Sequence, residues 1–169
     1  MRKIRVSSEL PVSFRDELER IVFFNPEQRL VTVPLVASLH RYGIPSIVDD
    51  GVCLRFRVDS FGLLQTLYVL DETEIPTRLV GVAMFTREST SSIVILHIAV
   101  HEDYSLQGKW ADVAVLLQLV DAIRWAALRT RGIRTLRALY PHEFHLQVRP
   151  GAVRPGAADR PRAAGLGPW

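Results

Sequence analysis

At 169 residues, 48% hydrophobic and 23% charged, the chain reads as one globular domain with appendages, since two ordinary domains would need more length. No apolar run approaches the ~20 residues that span a bilayer, and basic Met1 to Arg5 leads into polar Ser7, Ser8 and Glu9 rather than an apolar signal stretch, so a cytoplasmic, non-membrane protein is expected. The formal charge of +3 owes much to Arg149, Arg154, Arg160 and Arg162, and no interleaving of basic and aromatic residues accompanies it, so nucleic acid is not an expected partner.

Ser13 is placed to cap a short amphipathic helix over 14–22, with acids in its first turn and apolar residues at 14, 18, 21 and 22. Asn25-Pro26 restarts the chain for a second helical stretch from Glu27 to Arg41, divided by Pro34 and stopped at Tyr42-Gly43. From Ser46 the period becomes two: Val52, Leu54, Phe56 and Val58 alternate with Cys53, Arg55, Arg57 and Asp59, and the run from Leu63 to Leu70 is expected to pair back as a hairpin. Cys53, the one cysteine, has no intramolecular disulfide partner and reads as a buried thiol.

Strands over 78–86 and 92–100 are rich in β-branched residues and flank a turn-like 87–91, which favours antiparallel pairing. After Gly108 the period is helical, with Val113, Leu116, Leu117, Val120, Ile123 and Leu128 forming an apolar stripe that ends at Arg129 to Gly132. Ile133 to Tyr140 is a further strand, and a strand, helix, strand crossover sets its two strands parallel. Residues 1–148 are taken as the domain, and 149–169, a mixture of Pro, Gly, Ala and Arg, as a disordered tail.

Residues 79–139, and above all Leu96-His97-Ile98-Ala99-Val100-His101-Glu102-Asp103-Tyr104-Ser105-Leu106-Gln107-Gly108-Lys109, resemble the acyl-CoA-binding half of a GNAT-type N-acyltransferase. The resemblance implies an α/β (α+β) fold: a GNAT-like mixed, mainly antiparallel sheet flanked by helices, with a parallel strand, helix, strand unit. It implies acetyl-CoA as acyl donor and a small or protein amine as acceptor. It further implies a strand that splays from its parallel neighbour and holds pantetheine through backbone groups at Ile98, Ala99 and Val100. Gln107, Gly108 and Lys109 would then lie at the entrance of the cofactor helix, near the pyrophosphate.

The family loop has the form Arg/Gln-x-x-Gly-x-Gly/Ala; here Ser105 stands at its first position, Gly108 at its central glycine and Trp110 at its last. A Trp110 side chain turned outward leaves a nest of amides, whereas one folded over the helix start closes it. The family's closing strands and tyrosine-bearing helix have no counterpart after Tyr140, so no general-acid tyrosine is carried over. A sheet edge is left for a second copy of the chain, giving a homodimer, or for 144–148 to cover.

Acyl transfer to an amine needs a base and an acid, and His97 and Glu102 are the candidate catalytic residues, each with a plainer reading as a packed strand histidine and a solvated loop residue. The acceptor pocket is expected between the first two helices and the loop near Phe61. Four histidines with Glu143 make no ligand set on a shared face, and no phosphate loop or hydrolase elbow occurs. Three functions stay open: an acyl-CoA-dependent N-acyltransferase, a catalytically inactive GNAT-like binding or dimerisation module, and an acyltransferase that uses an acyl carrier protein.

Overall fold

A computed structural model describes residues 2–26, 36, 39–73, 75–139 and 144–147. Its strands are β1 (Ile4–Ser7), β2 (Ser46–Asp49), β3 (Leu54–Val58), β4 (Gly62–Leu63), β5 (Gln65–Asp71), β6 (Arg78–Arg87), β7 (Ser92–Val100), β8 (Thr135–Ala138) and β9 (Phe144–Gln147), with helices α1 (Arg15–Phe23) and α2 (Val115–Arg129). The six-stranded sheet runs β1-β5-β6-β7-β8-β9, and β2, β3 and β4 form a small second sheet. All neighbouring pairs are antiparallel except β7 with β8, which α2 connects as a parallel crossover. The fold is therefore mixed α and β, with a mainly antiparallel sheet, as expected.

Period-two alternation gives the large sheet two buried faces. Tyr68, Val82, Met84 and Val94 pack towards α1 and the small sheet, while Val69, Ala83, Phe85 and Ile95 pack towards α2. Leu119 and Ile123, one turn apart on α2, are fully buried, which stabilises the fold by roughly 1.5–3 kcal/mol each relative to exposure. The helix comes this close because β6 carries Gly81 beneath it: a Cβ there would stand 2.6 Å from Val115 Cγ1.

Several expected boundaries move. Ser13 lies inside a short 3-10 turn (Val12–Phe14), and α1 starts without a side-chain cap. The run from Leu63 to Leu70 pairs back on β3 only at its start, where Leu63 faces Arg57 and the Leu64 amide donates to the Phe56 carbonyl; from Gln65 it crosses as β5 into the large sheet between β1 and β6. Val52 is exposed in the turn before β3, while Cys53 is buried as expected. β9 pairs with β8, so residues 144–147 cover the edge the sequence left open. Of the second helical stretch, residues 36 and 39–42 are helical. Most of that stretch, Tyr140, His142, Glu143 and the tail lie outside the described residues.

Candidate acyl-transfer site

The parallel ladder of β7 with β8 runs from Ser92 opposite Thr135 to Ile95 opposite Ala138, but β7 continues to Val100. At the end of that ladder its pairing with β6 shifts: Phe85 faces Ile95 and Met84 faces His97, so Leu96 is an inserted bulge residue. The bulge has two consequences. Leu96 and His97 both turn to the α1 face instead of alternating, and the backbone groups that face β8 change from odd to even positions. The Leu139 amide donates to the Ile95 carbonyl, whereas the His101 amide donates across to Val80, so the peptide groups of Ile98 and Val100 face away from β6.

These are the positions assigned to pantetheine. The Val100 carbonyl, however, accepts from Asn25 Nδ2 at 2.7 Å, so the end of α1 holds the tip of β7. Ala99 is buried among the α1-side core residues and directs its backbone to Val82.

On the α1 face Leu96 and His97 line an open cleft of about 220 Å³, with Met84 beside them, Val58 from the small sheet, Val22 from α1 and Ile44 from the stretch between Tyr42 and β2. Tyr42 also lines it and stacks on Phe61 at 5.3 Å, so the cleft lies where the acceptor pocket was expected. The Tyr42 hydroxyl is 3.5 Å from Glu88 Oε1, a carboxylate that Arg137 also engages, and burial pushes the phenol's pKa up. Burial lowers the His97 pKa to about 4, so the ring is neutral at pH 7. His97 thus packs on the face opposite α2, not under the long helix.

The segment after β7 is coiled differently from the family loop. Glu102 is an exposed residue opening a 3-10 turn (Glu102–Tyr104), away from the cleft residues. Its neighbour His101 is half-buried: Nδ1 accepts from the Asp103 amide at 3.2 Å, Nε2 lies 3.3 Å from Arg78, and burial with the Arg78 charge lowers its pKa. Gln107 and Lys109 are exposed, and Gly108 is a packing residue, since a Cβ there would stand 2.3 Å from the Glu102 carbonyl oxygen.

The amides of Gly108, Trp110 and Ala111 donate to the carbonyls of Ser105, Asp103 and Gly108 within the loop. Helix α2 then begins at Val115 rather than at Lys109, after Ala114 with φ +53°. The expected entrance of the cofactor helix is therefore displaced along the chain.

Trp110 is half-buried rather than turned outward. It packs against the α2-side core, with the Arg2 guanidinium 3.6 Å and the Lys109 ammonium 4.7 Å from its ring centre. Arg2 also pairs with buried Asp71, which accepts from the Tyr104 hydroxyl and from the Thr73 amide at 2.8 Å. Sequence reasoning missed this cluster; the alternation Ile4-Arg5-Val6 was the signal for β1, which brings Arg2 to the loop.

Among the described residues no three His, Cys, Asp or Glu side chains converge as metal ligands, and no helix is long and apolar enough to cross a membrane. No protein-family model, curated protein or solved structure matches this chain.

Proposed function

We propose that this chain is an acyl-CoA-dependent N-acyltransferase of the GNAT type, transferring an acyl group, acetyl in the simplest case, to an amine. One observation carries the reading: among the described residues β7 runs on past the β8 ladder as Leu96–Val100, with a bulge at the point of departure. A strand that leaves its parallel neighbour in this way is the feature against which a pantetheine arm would lie, its thioester beside Leu96 and His97. The parallel unit of β7, α2 and β8 supports the same reading.

In this reading the amine nitrogen attacks the thioester carbon, the C–N bond forms, the C–S bond breaks, and the thiolate leaves as thiol after taking a proton. The neutral His97 imidazole serves as a hydrogen-bonding partner of the reacting groups, because its lowered pKa makes it a weak base at pH 7. The amine's proton passes to solvent, because Glu102 is exposed beyond the strand end and away from the cleft. The single buried cysteine fits a reducing, cytoplasmic compartment, and a homodimer would pair along β9, the outer strand beside β8.

The internally bonded loop amides favour a second reading, a binding module that has lost catalysis. Calorimetric titration with acetyl-CoA and longer acyl-CoAs, followed by an acyl-transfer assay over a panel of amines, separates the two. Saturable binding with turnover supports the enzyme; binding without turnover on any amine supports the module. No heat with any acyl-CoA sinks the CoA-dependent enzyme.

A further inference from the structure

Helix α2 is apolar around more of its circumference than the sheet covers. Val115, Leu119, Ile123, Ala126 and Ala127 face the sheet and are buried, yet on the side turned away from it Leu117 is 63% and Trp125 52% exposed. The charges that lie between these two apolar residues decide what fits over them.

The outermost line of the helix reads Leu117, Asp121, Arg124, Leu128, with the alternating four- and three-residue spacing by which one helix presents a seam to another. Asp121 and Arg124 are exposed, Leu128 is half-buried, and among the described residues neither charge makes an ion pair within its own chain. Trp125 lies beside this line on its Gln118 side.

The line is its own complement when reversed. Laid antiparallel about a two-fold axis through the middle of the stripe, Leu117 of one copy meets Leu128 of the other and Asp121 meets Arg124, each contact occurring twice. Both indoles then close one flank of the seam. A parallel arrangement would set Asp121 against Asp121 and Arg124 against Arg124, and like charges so placed select against it.

We propose that the outer face of α2 is a self-association surface: a second copy of this chain docks on it with the two helices antiparallel, covering Leu117 and Trp125 and pairing Asp121 with Arg124 across the interface. This stands apart from the acyltransferase reading. Pairing along β9 is a different interface, which changes on α2 leave untouched.

The test follows the full chain by sedimentation velocity over a concentration series, which reads the dimer dissociation constant. Wild type is expected to dimerise, and Trp125→Ala to raise the constant at least ~30-fold, as loss of a buried aromatic anchor does. Asp121→Arg and Arg124→Asp each set like charges together twice and are expected to weaken the dimer at least ~30-fold as well. All three side chains are exposed, so the far-UV circular dichroism of each variant should match wild type.

Mixing supplies the rescue. Asp121→Arg and Arg124→Asp, each defective alone, are expected to form a heterodimer in which both ion pairs are restored, and the double variant should recover the homodimer. A folding defect or a contact within one chain would not be rescued by mixing. A wild-type chain that stays monomeric at every concentration overturns the proposal. So does a dimer whose constant these variants leave unchanged, as pairing along β9 would give, and so does a mixture without heterodimer.

Discussion

Arg2 and Trp110 meet face to ring, 3.6 Å from guanidinium carbon to ring centre, and through this contact the first residues of the chain hold the loop after β7. The same guanidinium pairs with Asp71, which is 3% exposed, so Arg2 serves a cation–π contact and a buried carboxylate together. Arg2→Ala leaves Asp71 short of a partner and is expected to destabilise the fold by about 1–3 kcal/mol in urea denaturation. Arg2→Lys should recover part of this, since an ammonium lacks the planar fork that serves both partners. An Arg2→Ala variant with the wild-type urea midpoint would show that the clamp contributes nothing.

Asp71 gives the cluster a pH signature. Burial raises its pKa, but hydrogen bonds from Thr73, Tyr104 and Arg2 outweigh that and hold it at about 2. A folded pKa below the unfolded value of about 3.9 means stability that is fully present above that value and is lost as pH falls towards 2. Asp71→Asn should be less stable than wild type at pH 6 and should show a shallower loss between pH 4 and 2 when urea midpoints are compared.

His97 acts in a higher window. Its pKa is about 4 in the fold and near 6.5 in the unfolded chain, so unfolding takes up a proton between these values. Stability is therefore greatest above pH 6.5 and declines as pH falls towards 4, with a slope of up to about 1.4 kcal/mol per pH unit from this one group. His97→Leu should flatten the decline. His101, also lowered, contributes to both proteins, and the difference between the two curves isolates His97.

Gly108 was expected to serve a cofactor, yet its absent side chain serves packing. Gly108→Ala drives a Cβ against the Glu102 and Asp103 backbone, which no rotamer change relieves. A loss of about 1–3 kcal/mol in thermal or urea unfolding is expected, before any ligand is added. Unchanged stability would mean that the coil over 102–111 rearranges at little cost.

Ala114 holds φ +53° at the entrance of α2, a left-handed conformation that costs an L-residue with a Cβ about 1–2 kcal/mol. Ala114→Gly relieves this and adds unfolded-chain freedom worth about 0.4–1 kcal/mol in the opposite direction. A small net gain, about 0.5 kcal/mol, is expected in the urea midpoint. A destabilised variant would contradict that strain.

The strands over 78–87 and 92–100, the long helix and the parallel strand after it were legible because each repeats its pattern long enough for one period to dominate. Cys53 in the core was legible as well. The split of 63–70 between two sheets was not, since Leu63 and Leu67 to Leu70 read as one apolar run whichever sheet accepts them. Nor was β1, whose four residues carry too short an alternation beside a basic terminus.

The site divides the same way. Local spacing by itself determined which strand bears His97, Ile98 and Val100 and that its parallel neighbour follows a helix, because strand and helix periods are properties of adjacent residues. Only the tertiary structure decided that a bulge at Leu96 turns Leu96 and His97 to one face, that Asn25 holds the Val100 carbonyl, and that Arg2 seats Trp110. It also decided that α2 begins at Val115, because Gly108 is packed against Glu102 and the amide of Trp110 is bonded to Asp103. The physical reason is common to all four: strand register and loop hydrogen bonds are set by partners distant in sequence or by the packing around them, and spacing along one chain carries no record of either.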